Sequence, residues 1–180
     1  MGTNVQVLVP NFERMTLHTL VERLKVSSEF RSISSNPSPW FSDGMRWALE
    51  EEGRNEWVAE TPGGFILRCA PGVLHAWHLL RWVVFLEDSE LHELIRRASR
   101  LFAGLLGSQE ALYLPEQFQP ALAISLAEEG ASFAAVQAWL FENCGSPTPQ
   151  AEARAHWASG NAVLDRFYIS DRFEDLSHEA

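Results

Sequence analysis

The stretch EWVAETPGGFILRCAPGVLHAWHLLRWVVFLEDSELHELIRRASRLFAGLLGSQEALYLPE, residues 56–116, decides the fold, because it combines strand signals, turns and a fully amphipathic helix. Glu56-Trp57-Val58-Ala59-Glu60-Thr61 alternates polar and apolar, Pro62-Gly63-Gly64 supplies a turn, and Phe65-Ile66-Leu67-Arg68-Cys69 resumes an apolar run before Pro71-Gly72. That pattern predicts a hairpin. The run Leu79 to Leu86 is rich in β-branched and aromatic residues and is interrupted by Arg81, which predicts a central strand. From Ser89 to Leu106, Leu91, Leu94, Ile95, Leu101, Phe102, Leu105 and Leu106 recur at the spacing of one helix face, with Ala98 between them. Asp88 or Ser89 can cap the first turn, Glu90 and Glu93 suit its positive end, and Gly107 can close the helix. Glu110 to Leu114 then reads as a returning strand stopped by Pro115.

Toward the N-terminus, Val5-Gln6-Val7-Leu8-Val9 predicts a strand ending at Pro10, and Thr16 caps a helix with Leu17, Leu20, Val21 and Leu24 on one face. The serine- and proline-rich residues 27–40 predict a long connecting loop. Ser42 and Asp43 open a short helix carrying Met45, Ala48 and Leu49, which puts Glu50, Glu51 and Glu52 at its C-terminal end. Acids there oppose the macrodipole, which marks them as a candidate binding face. Toward the C-terminus, residues 120–129 alternate like a strand, yet the leading Pro120 and terminal Gly130 favour a helix. Ser132 caps a largely buried helix ended by Gly145 and Pro147, Ala151 to Ala158 forms a short helix, and Asp165 to Ser170 a last strand. Residues 171–180 read as a flexible acidic tail with Asp171, Glu174 and Asp175 as a second candidate patch.

The whole is expected to be one α+β domain over residues 1–180, with an antiparallel or mixed sheet of about five strands, helices mainly on one face, and no doubly wound parallel order. A chain of 180 residues with 46% hydrophobic content, including seven Trp and eleven Phe, can build a sizeable core. A net charge of −10 argues against a broad phosphate-binding surface, so nucleic acid is not an expected partner. Arg96, Arg97 and Arg100 are the only closely spaced basic group, and their spacing places them on the solvated face of the central helix. No leader or apolar run of about 18 residues is present, so a cytoplasmic protein without membrane insertion is expected. In a reducing compartment Cys69 and Cys144 are expected to be unbridged buried thiols.

His75 and His78 form an H-x-x-H, which would serve a metal only on a helix; on the strand expected there the two side chains diverge, and His92 is expected on an exposed helix face. No metal site, cofactor or catalytic residue is expected, and the glycine-rich phosphate cradles and nucleophile elbows are missing from the sequence. Trp40, beside the serine-rich loop, is the one candidate ligand-stacking aromatic. These features favour an acidic protein-binding module that docks onto a basic protein partner, in concrete form an immunity or inhibitor protein covering a basic toxin. The alternative is an enzyme of unrecognised type acting on a small molecule.

Overall fold

The computed structural model describes residues 3–42, 46–52, 56–159 and 167–178. Strand β1 (Asn4–Pro10) lies in the middle of the sheet, and its alternation puts Val5, Val7 and Val9 on one face and Gln6 and Leu8 on the other. Helix α1 (Leu17–Val26) is capped by the Thr16 side chain, and α2 (Ser28–Ser34) by Ser27, which accepts from the Phe30 N–H. A short α3 (Pro39–Ser42) leads to β2 (Ala48–Glu52), β3 (Glu56–Glu60), β4 (Phe65–Ala70) and β5 (Val73–Arg81). Then follow α4 (Trp82–Glu87), α5 (Ser89–Leu105), β6 (Glu110–Pro115), α6 (Leu122–Glu128), α7 (Phe133–Cys144), α8 (Gln150–Ala158) and β7 (Ile169–Arg172). The Asp88 carboxylate caps α5 by accepting from the N–H groups of Glu90 and Leu91, both at 3.0 Å.

The seven strands run in the order β2-β3-β4-β5-β1-β6-β7, with antiparallel pairing throughout the described residues. β2 to β5 form a meander, and β1 then fills the place between β5 and β6. On the first face Val5, Val7, Phe65, Leu67, Ala76, Tyr113 and Ile169 pack with Leu20, Leu24, Phe30, Phe85, Ile95 and Phe102 from α1, α2, α4 and α5. Burying each of these large side chains contributes about 2 kcal/mol before entropy is counted. On the second face Leu8, Val73, Leu112 and Leu114 pack with Ala123, Ala127, Phe133, Val136 and Leu140 from α6 and α7.

The α+β class and the antiparallel sheet agree with the sequence reading, and several finer expectations are corrected. Among the described residues seven strands are present where about five were expected, and α6 and α7 add a second helical layer to the one on the main face. Ala48–Glu52 is a strand rather than a helix, because pairing with β3 overrides the helix preference of Leu-Glu-Glu-Glu. The central strand is displaced toward the N-terminus, as Val73–Arg81, and the chain turns helical at Trp82. Residues 27–40 hold α2 and α3 instead of a long loop, since Phe30 and Ile33, three apart, both bury into the core. The expected tail contains strand β7, whose first residue is Ile169, followed by a 3-10 turn at Glu174–His178. Asp43, Met45 and Asp165 lie outside the described residues. Cys69 and Cys144 form no disulfide and are half-buried rather than buried, with the Cys69 thiol pushed up to about 12 by desolvation.

Candidate functional site

Register fixes which side chains share the second face of the sheet. Glu52 stands opposite Glu56, Glu50 opposite Val58 and Ala48 opposite Glu60, while Glu60 stands opposite Ile66. Glu50, Glu52, Glu56 and Glu60 therefore project from one face, and all four are exposed. Helices α6 and α7 cover this face over β1, β5 and β6, and no residue of β2 or β3 joins the core they make there. Like charges directly opposite each other, as in Glu52 and Glu56, weaken a strand pair, and β2 is the short outer strand of the sheet. Glu51 alternates to the other face. On that side α1 meets β3, where the His18 ring packs edge-on against Trp57 with centroids 4.7 Å apart.

Further along the second face the register brings Arg68 opposite His75 and Gln6 opposite Trp77. The Arg68 guanidinium bridges two carboxylates, donating from Nη1 to Glu128 at 2.7 Å and from Nη2 to Glu52 at 2.5 Å. His75 Nδ1 lies 3.0 Å from the same Glu128 oxygen, and its Nε2 lies 2.5 Å from Gln6 Oε1. The chain Glu52, Arg68, Glu128, His75, Gln6 thus ties the acidic strands to the sheet centre. The His75 hydrogen bond, reinforced by the Arg68 charge and opposed by desolvation, holds the Glu128 carboxyl below the usual carboxylate range. A cleft of about 500 Å3 lies over this cluster, lined also by Ile66, Trp77, Glu116 and Ile124.

The H-x-x-H lies on β5, with His75 facing α6 and His78 in the core between the rings of Phe41 and Phe65. His92, expected on an exposed face, is instead half-buried and stacked on Phe85 at 4.3 Å. Among the described residues no group of three or more His, Cys, Asp or Glu side chains is placed to hold a metal ion. Trp40 is half-buried against the main core rather than projecting from a loop.

The C-terminal carboxylates are spent on α5 instead of forming a free patch with Glu174. Arg96 Nε donates to Asp171 at 2.7 Å, Arg97 to Glu29 at 2.8 Å, and Arg100 pairs with Asp175. The arginines expected on a solvated face therefore clamp β7 and α2 onto α5. The hydroxyl of Tyr113, on a side chain buried beneath this clamp, donates to Asp171 at 3.4 Å, and burial drives its pKa upward. Asp171→Ala is expected to cost about 1 to 2 kcal/mol, because it takes the carboxylate acceptor from the buried Tyr113 hydroxyl, which keeps only Ser99, and the nearer of two partners from Arg96, which keeps Glu93 at 3.9 Å. Urea denaturation will measure it, and a loss at the level of an ordinary surface pair, below about 0.5 kcal/mol, would contradict the clamp.

Gln6, Arg68, His75 and Glu128 were not read from the sequence as one site, since they come from β1, β4, β5 and α6. The available signal was polarity out of place: Gln6 between valines, Arg68 in an apolar run and His75 in a strand. Compared with protein-family models, curated proteins and solved structures, the chain has no significant match.

Proposed function

We propose that this protein is a protein-binding module that docks a basic partner onto the acidic end of its sheet. The observation that carries this reading is the set of exposed carboxylates, Glu50, Glu52, Glu56 and Glu60, on the part of the second face that no helix of the core covers. Electrostatic repulsion between them is relieved when a lysine- or arginine-rich surface approaches, and their field steers that approach. An immunity or inhibitor protein covering a basic toxin is the concrete form. The β2 edge with Glu51 borders the same surface, while Asp171 and Asp175 stay with their arginines.

The test is the triple variant E50K/E56K/E60K, which spares Glu52 and so keeps its bond to Arg68. A basic partner captured with the wild-type chain is expected to associate about tenfold more slowly with the variant at low salt, and the gap is expected to close as ionic strength rises. An association rate unchanged by the charge reversal would rule out this face.

A further inference from the structure

We propose that the gap between β3 and β4 takes an extended segment of the basic partner as an added strand, with basic and apolar side chains alternating along it. The inference rests on the docking reading above and adds how the partner engages.

The gap exists because a ladder ends early. The Thr61 N–H donates to the Phe65 carbonyl at 2.9 Å, and Ala59 stands opposite Leu67, so odd-numbered residues of the two strands turn their backbone groups toward each other. Trp57 and Cys69 are next in that series, yet the pairing stops at Ala59 and Leu67. β3 follows β2 instead, down to Glu56 opposite Glu52, while β4 stays with β5 as far as Ala70 and Val73. The N–H and C=O groups of Trp57 and Cys69 therefore face an opening in the sheet and lack the mutual pair of bonds a ladder would give. That opening belongs to a groove of about 1500 Å3, which both residues line and which reaches Pro71 and the exposed ring of Phe12.

The two sides of the groove differ in chemistry. Trp57 and Cys69 project to the first face of the sheet, where Met15 and Leu17 join them. Glu56, Glu128 and Glu129 border the groove on the second face, where the charge of Arg68 is already bridged to Glu52 and Glu128. Successive side chains of a strand point to opposite faces, so an inserted segment meets carboxylates with every second residue and apolar groups with the others. In strand addition the main chain supplies affinity and the alternate side-chain positions supply specificity. Lysine or arginine alternating with an apolar residue satisfies both sides. A second copy of this chain is the poorer occupant, because its net charge of −10 opposes the same carboxylates.

The probe is the acetylated and amidated peptide Lys-Val-Lys-Val-Lys, titrated into the full chain by calorimetry at about 0.15 M salt. Its controls are the same peptide with the three central amides N-methylated, Glu-Val-Glu-Val-Glu, and the unalternating Lys-Lys-Lys-Val-Val. The first peptide is expected to bind at about 1 mM or below, with each control about tenfold weaker or more. Hydrogen exchange of the Trp57 and Cys69 amides, followed by NMR, is expected to slow about tenfold when it binds. Glu129→Lys, in the groove but off the β2 and β3 face, is expected to weaken the peptide about tenfold, and E50K/E60K, on that face but outside the groove, to weaken it less. Equal binding of the N-methylated or unalternating peptide, unmoved exchange at Trp57 and Cys69, or no binding up to about 10 mM would overturn strand insertion and leave docking by charge standing. A dimer of the peptide-free chain that protects the same two amides would assign the gap to a second copy and also overturn it. Failure of the docking reading shows separately, as an association rate that E50K/E56K/E60K leaves unchanged.

Discussion

His78→Ala is expected to lower the unfolding free energy by about 4 kcal/mol and the melting temperature by about 10 °C. The imidazole is wholly buried, with its Nε2 donating to the Gly63 carbonyl at 2.8 Å and its Nδ1 accepting the Leu80 N–H at 2.9 Å. Removing the ring leaves both backbone groups without that partner and opens a void between Phe41 and Phe65. A second signature is the response to acid. Burial lowers the His78 pKa to about 3, with the Gly63 hydrogen bond opposing, against about 6.5 in an unfolded chain. Between those values the unfolded state takes up a proton that the folded state refuses. Stability contributed by neutral His78 is therefore complete above about pH 6.5 and declines as pH falls, by up to about 1.4 kcal/mol per unit. In denaturation between pH 5 and 6.5 the slope combines this contribution with that of His92, whose pKa burial also lowers, so it should shrink in His78→Ala and keep a remainder from His92. A variant as acid-sensitive as the wild type in that window would refute the assignment.

Gly64→Ala is the second large effect, at about 3 kcal/mol of lost stability. Gly64 sits at φ +80, and a Cβ there would come within 2.9 Å of the Trp40 carbonyl oxygen and 3.3 Å of His78 Nε2. The turn between β3 and β4 is thus wedged against α3 and the buried histidine at once. Gly130→Ala is the control, because at φ +97 its Cβ would meet nothing within 4 Å. It should cost only the backbone strain, about 1 kcal/mol. Equal losses in the two variants, by chemical denaturation, would show that the wedge contributes nothing.

Where sequence and structure agree, local rules and tertiary packing point the same way. α5 was legible because its apolar stripe, its Asp88 cap and its closing glycine all coincide, and the Pro62-Gly63-Gly64 turn because only glycine suits its positive φ values. The errors fall where one signal had two meanings. Ser27 was read as part of a loop although the same hydroxyl caps α2. The run Leu79 to Leu86 has no glycine or proline to mark the change from strand to helix at Trp82. Ala-Leu-Glu-Glu-Glu is a strand only because β3 lies beside it. The acidic candidates at Glu50 and Glu52 were visible as charge, but their common face with Glu56 and Glu60 needed the strand register. The cleft was not legible at all, since its polar groups meet only when β1 inserts between β5 and β6.

That insertion also sets an order of events during synthesis. Val5 pairs with His78 on one side and with Pro115 on the other, so β1 leaves the ribosome well before either neighbour exists. The Val-Gln-Val-Leu-Val segment must wait, without its hydrogen-bonding partners, until the β5 and β6 sequences have been translated. Closing such distant pairs is slow, and a β-prone apolar segment held open meanwhile is a substrate for aggregation or for holding chaperones. A nascent chain stalled before β6 therefore retains an unsatisfied middle strand, and the yield of folded protein from the cell depends on how that segment is shielded until translation has passed it.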